Sequence, residues 1–304
     1  MTARSAAALL LSACALLDLP GCAKTTSQQV EDTETSGRIQ VVSVPESATL
    51  VAREIAAFRA AYPAAAIELR TGGSRDAVTA LLGQQAALAV LTRDLEPEER
   101  SVMVKGGMEL EAYRFARDAI CVVVHPSNPL EQLSADDLKR VYAGEVTSWR
   151  ELGGPALPIS PVVGPPESDA MVSFVQRVMG GDAVTAPSFR AGADSLVVRR
   201  VASVPGAIGF VSLAWADRGA KALRISALRG MPYWKADPEK VYKGDYPLTR
   251  YCNLYVRSGG PRLANGLVTF ISSLEGQKIV HEAGLVPTSV PVRFARRSPL
   301  LGTH

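Results

Sequence analysis

Histidine, cysteine and aromatic residues are all scarce in this chain of 304 residues, and each scarcity removes a class of function. The three histidines, His125, His281 and His304, lie far apart and show no metal-ligand spacing. Neither a G-x-S-x-G elbow nor a Walker loop is present, so nothing points to an enzyme, and no metal or cofactor is implied. Aromatic residues make up 6% of the chain, and its net charge of +3 is spread along it without dense Lys/Arg clusters, which argues against a nucleic-acid groove. What is present is ordinary for a soluble globular protein, with 47% hydrophobic and 21% charged residues. The length exceeds what one core usually serves, so two lobes are expected.

The N-terminus has the layout of an export leader. Arg4 supplies the positive end, and the apolar segment at 5–17 is too short to span a membrane. Leu19-Pro20-Gly21-Cys22 resembles the lipobox of bacterial lipoproteins, in which the cysteine is acylated and becomes the first mature residue. Leu11-Ser12-Ala13-Cys14 fits the same pattern, and a simple cleaved signal peptide is the other reading. Cys22 is preferred, because cutting at Cys14 leaves a very short apolar segment. Residues 1–22 then form the signal and 23–37, rich in Thr, Ser, Gln and Glu, a flexible tether. Two cysteines remain, Cys121 and Cys252, both in apolar strand-like runs and both readable as buried free thiols.

From residue 38 the pattern alternates between strands and helices. A β-branched strand at 38–44 precedes apolar residues at helical spacing over 50–62, with Ser47 and Thr49 available either to cap the helix or to face a ligand. The unit repeats as a strand at 66–71, a Gly72-Gly73-Ser74 turn and a helix at 75–82 closed by Gly83. A strand at 86–91 ends at Thr92-Arg93-Asp94. Alternation of this kind implies parallel pairing, and ligands gather at the carboxyl ends of such strands, where Ser47, Ser74 and Thr92 fall.

Two strands, 109–116 and 119–125, come next. Ser134 and Asp137 then form a capping box for a helix that Gly144 ends. A strand at 159–163 turns at Gly164-Pro165-Pro166 into a helix expected to reach residue 178, a geometry able to cradle an anion. A short helix at 195–203 carries Arg199 and Arg200 on a solvated face; a strand at 207–211, another at 251–256 and helices at 263–274 and 276–283 complete the pattern. The tail, 295–304, has no folded pattern.

Several stretches occur together, in order, across about residues 39 to 290: HPSNPL, VYAGEVTSWRELGG, PGAIGFVSLAWA, YPLTRYCNLYV and SSLEGQKIVHEAGLVP. As an ordered set they resemble the phosphate-binding family of periplasmic solute-binding proteins that feed ABC transporters. The resemblance implies an α/β, two-lobed periplasmic-binding-protein (type II) fold with two crossing hinge strands. Lobe 1 would comprise 39–120 plus 251–294, and lobe 2 would comprise 121–250. It implies a small anion, phosphate or another, as ligand, an ABC permease as partner, a lipid anchor in a bacterial membrane facing the periplasm or cell surface, and a monomer. With Cys121 and Cys252 placed by the hinge strands, it also makes a disulfide between them conceivable.

The ligand positions carry over unevenly. Ser47, Ala48 and Thr49 stand at the family's first helix start, Gly73 and Ser74 at its second turn, and Thr92 where relatives carry Asp or Ser. The third loop departs: where the family has an Arg shortly before Gly-Ser-Gly-Thr, this chain has Pro165, then Ser168, Asp169, Ala170 and Met171. Losing an Arg and hydroxyls removes charge-assisted bonds, and Glu167 and Asp169 would repel phosphate unless protonated or turned away. Arg75 and Arg93 are the candidate substitute cations; Arg93 is preferred, since it lies beside Thr92 at a strand end, with a surface pair to Asp94 as its other reading. The degenerate loop leaves an alternative in which the fold is kept for scaffolding or signalling without phosphate binding.

Overall fold

The computed structural model describes residues 31–288, so the leader with Cys14 and Cys22, and the tail, lie outside the described residues. The strands are β1 Gly37–Ser43, β2 Ala65–Thr71, β3 Leu88–Leu91, β4 Leu110–Val124, β5 Gln132–Ser134, β6 Ser160–Val163, β7 Phe189–Arg190, β8 Ala207–Ser212, β9 Lys221–Ala222, β10 Arg224–Ser226, β11 Thr249–Arg257 and β12 Val286–Pro287. The helices are α1 Pro45–Ala61, α2 Ser74–Leu82, α3 Pro97–Lys105, α4 Ala135–Tyr142, α5 Asp169–Phe174, α6 Asp194–Ser203, α7 Pro238–Lys243, α8 Arg262–Ser272 and α9 Leu274–Glu282.

One mixed sheet runs β2-β1-β3-β11-β4-β8-β6-β7, with β9 and β12 pairing to β4 off that path. The pairs β1–β2, β1–β3 and β6–β8 are parallel, as helical crossovers require, whereas β11 is antiparallel to both β3 and β4. Two bodies of core flank the crossing strands. The first packs α1, α8 and α9 around Val41, Phe58, Phe115, Leu254 and Leu267. The second packs α4, α5 and α6 around Val122, Tyr142, Trp149, Phe174 and Phe210. A smaller cluster sets Val78 and Leu81 of α2 against Val42 and Leu91. The fold is therefore the α/β type expected, with β4 and β11 passing between the lobes.

Three expectations need correction. The strands expected at 109–116 and 119–125 are one strand, β4, because Arg117-Asp118 does not break it: Asp118 is buried and ion-paired to Arg250 on the neighbouring β11. α1 begins at Pro45, not residue 50, since proline at the first helical position sacrifices no hydrogen bond and Val44 enters in extended conformation. The helix expected to reach residue 178 is α-helical only to Phe174 and continues as a π turn, Val175–Met179. α3, which has no buried residue, carried no periodic apolar signal in the sequence.

Both cysteines are buried and free, which is the free-thiol reading. Cys252 sits opposite Ala116 on β4, while Cys121 lies five residues along, opposite Val211. At about 3.3 Å per residue that offset far exceeds the roughly 7 Å a disulfide tolerates, so no bridge joins them.

Candidate functional site

Four segments meet at the cleft: the start of α1, the Gly72-Gly73-Ser74 turn, the end of β3, and the turn that opens α5. Each follows a strand whose register fixes it; Gly72, for instance, donates its amide to Ser43 at the end of β1. A cavity of about 690 Å³ lies there, and its lining includes Glu46, Thr49, Gly73, Ser74, Asp169 and Asp194.

The side chains at the floor are already engaged. Asp169, 1% exposed, points its carboxylate between Ser74 and Thr92. The Ser74 hydroxyl donates to Oδ1. The Thr92 amide donates to Oδ2 at 2.7 Å, and its hydroxyl contacts the same oxygen at 3.2 Å. Arg93 Nε stands 3.2 Å from Oδ1. Neither Thr92 nor Arg93 lines the cavity; both lie behind Asp169.

Arg93 is itself held by Glu99, whose two oxygens take both terminal nitrogens at 2.8 Å. Burial alone would depress the guanidinium's pKa, but the Glu99 hydrogen bonds and the Asp169 charge raise it above the ordinary value. Burial pushes the Glu99 carboxyl the other way, and the Arg93 and Glu96 hydrogen bonds overcome it, leaving Glu99 below the usual range. The surface pair with Asp94 is thus replaced by a buried one; Arg93 only donates to the Asp94 backbone carbonyl, and the Asp94 side chain pairs with Arg114 instead.

The other expected positions divide. Thr49 is exposed and lines the cavity, as do Gly73 and Ser168. Ser47 is buried inside the first turn of α1 and pairs with the Ser43 hydroxyl at 3.0 Å, and Ala48 is half-buried outside the lining. Ser168 caps α5, accepting from the Met171 amide and donating to the Pro165 carbonyl. Glu167 is exposed and stands on the lining of the cavity beside Ser168 and Asp169, so its charge still faces an incoming anion.

Sequence reasoning missed the charged residues around this floor. Glu46 lines the cavity with one buried oxygen lacking a hydrogen-bond partner, and burial, then the Asp169 charge, raises its pKa. Burial likewise raises Asp194, offset in part by the Ser212 amide. Behind them Asp118 accepts from Arg250 at 2.7 and 2.9 Å, from Ser212 Oγ at 2.8 Å and from the Leu213 amide at 2.9 Å. Charges inside otherwise apolar strands at 118 and 250 were the available signal. Chemically, the floor can hold an oxyanion through two hydroxyls, an amide and a cation; among the described residues no group of three or more His, Cys, Asp or Glu could hold a metal ion.

Comparison with known proteins bears on the family and the fold. The model of the PBP superfamily domain matches residues 28–275. The phosphate-binding protein PstS of Bacillus subtilis is 26% identical over 289 residues, covering 93% of this chain and 92% of that protein. A Clostridium perfringens structure described as a phosphate ABC transporter substrate-binding protein with bound phosphate is 25% identical, with a TM-score of 0.73 over 83% of this chain and all of that one. An ABC-type phosphate transport receptor from Vibrio cholerae, at 22% identity, superposes with a TM-score of 0.71 over 82% of this chain and 99% of its own, which shows the shared fold.

Proposed function

This chain belongs to the PBP superfamily, and on that premise we propose that it is an extracytoplasmic receptor that captures phosphate or a related small anion between its lobes and delivers it to an ABC permease. Its relatives are substrate-binding transport proteins and not enzymes. The observation that carries the reading is the floor of the cleft, where Ser74, Thr92 and Arg93 already surround two oxyanion oxygens. Donors aimed in this way from rigid strand ends are what a small anion needs once it leaves water.

Capture follows from the topology. The lobes, 39–120 with 251–294 and 121–250, would rotate about the two crossing strands and close on the solute. The receptor would act as a monomer, held at the outer face of the membrane by acyl chains on Cys22; the tether expected over 23–37 is shorter than that, because Asp32 accepts the Arg262 and Leu263 amides at the start of α8 and Gly37 opens β1. No helix among the described residues is long and apolar enough to cross a membrane. A scaffold that has lost its ligand is not favoured by relatives named for phosphate binding.

Titration calorimetry on the soluble part of the chain with phosphate, sulfate and molybdate tests the reading. Saturable heat with at least one of them is expected, and its loss on Ser74→Trp places the site. Silence with all three anions rejects it. Mass spectrometry of the membrane-extracted protein, reading an acylated Cys22 at the N-terminus, tests the anchor.

A further inference from the structure

The cleft's floor is occupied by the protein's own carboxylate. We propose that Asp169 is a tethered internal ligand: it fills the anion seat made by Ser74, Thr92 and Arg93, latches the two lobes together, and sets the threshold that any free anion must exceed. The inference rests on reading that seat as an anion site.

Three observations carry it. The two carboxylate oxygens take the full donor set of the seat: Oδ1 the Ser74 hydroxyl and the Arg93 charge, Oδ2 the amide and hydroxyl of Thr92. A free oxyanion would need those same donors, so the two occupancies exclude each other. Second, the contact crosses the cleft. Asp169 opens α5, whose Ala170, Met171 and Phe174 are packed in the core around β4, β6 and β8, whereas Ser74 and Thr92 belong to the α2 and β3 side. Third, Asp169 and Ser74 line the cavity while Thr92 and Arg93 do not, so solute entering from the cavity meets the carboxylate before it meets the Thr92 and Arg93 donors.

A purely structural ion pair would have no reason to sit between a solute cavity and a set of oxyanion donors. The tether gives the carboxylate an effective concentration on the order of millimolar, and a competing anion loses apparent affinity in proportion to the fraction of molecules in which the seat is filled. A dianion faces the further penalty of approaching Asp169 and Glu46 together.

The test uses the secreted protein and its Asp169→Ser and Asp169→Asn variants, with calorimetry for inorganic phosphate and sulfate and small-angle X-ray scattering without added anion. Circular dichroism confirms that each variant is folded, and Asp169→Asn, which keeps the side chain's volume, serves if Asp169→Ser is not. Removing the carboxylate is expected to tighten phosphate binding by at least about tenfold, the gain expected when a filled seat is freed. It is also expected to expand the anion-free protein, because the bridge across the cleft is gone. Phosphate binding whose affinity is unchanged or weakened in both variants overturns the internal ligand and leaves the receptor reading standing. A variant that expands yet binds neither anion keeps the latch and removes the receptor reading.

Discussion

Arg93 and Asp169 stand 3.2 Å apart, the guanidinium at the end of β3 and the carboxylate at the start of α5, with 6% and 0% of their side chains exposed. Arg93 simultaneously grips Glu99, so one largely buried cation neutralises two carboxylates. Replacing it with an apolar residue would strand both charges. Arg93→Leu is expected to cost about 3–5 kcal/mol in urea unfolding, as for other broken buried pairs. Arg93→Lys keeps the charge but not the paired hydrogen bonds to Glu99, and should lose about 1.5–3 kcal/mol. Equal stability of Arg93→Leu and the parent would show that the pair contributes nothing.

Glu54 makes the second prediction. It lies on the core face of α1 with Leu50, Val51, Ile55 and Phe58, is 0% exposed, and neither carboxyl oxygen has a hydrogen-bond partner. Burial pushes its pKa from 4.5 to about 8, so the folded protein holds a proton that the unfolded chain releases. Stability from this group is therefore complete below pH 4.5 and is lost as pH rises towards 8, at up to about 1.4 kcal/mol per pH unit. Glu54→Gln should flatten the decline between those limits in denaturation curves taken at several pH values. A slope unchanged by the substitution would contradict the account.

Anion affinity should depend on pH through Glu46. Its pKa is raised by burial and by the Asp169 charge, and Asp194 across the cavity is raised by burial, so both become neutral at milder acidity than ordinary carboxylates. Neutralising them removes repulsion from an incoming anion. Sulfate, which keeps its charge in mild acid, should bind more tightly as the pH falls below neutral, and Glu46→Gln should reduce that dependence. A sulfate affinity independent of pH would rule the effect out.

The ion pair behind the cleft gives a fourth. Asp118 and Arg250 join the two crossing strands and are 3% and 2% exposed at the side chain. Arg250→Met leaves Asp118 buried with its hydroxyl and amide donors but no cation, for an expected loss of about 3–5 kcal/mol. The double change Asp118→Asn with Arg250→Met should recover part of it, and a double-mutant cycle measures the coupling.

Much of the fold was legible because alternating strands and helices leave periodic apolar patterns, and the Ser134–Asp137 capping box is a local signal that the structure repeats. The seat was legible in its parts: Ser74, Thr92 and Arg93 were each placed at strand ends or turns. Its occupant was not. Asp169 was expected to repel an anion, and instead stands where one would sit, because its partners are 95 and 77 residues away in the chain and only tertiary packing brings them together. The start of α1 was misplaced for a related reason: Ser47 looked like a cap or a ligand contact, but it is buried against Ser43, a neighbour set by the entry angle of the helix. The cysteine offset needed the β4–β11 register, which apolar patterning along a single strand does not contain.

α3 has no buried residue, and Val102 and Val104 are 55% and 80% exposed. What fixes its first turn is the capping box between Glu96 and Glu99 and the grip of Arg93 on that same Glu99. The helix is thus moored to the floor of the cleft through Glu99 and to the small cluster around Leu81 and Leu91 through the half-buried Met103, so fraying of its first turn is a gauge of what Arg93 holds. A solute that draws the guanidinium inward would slacken the mooring, and amide exchange over 97–105 would register the event from the outer surface of the molecule.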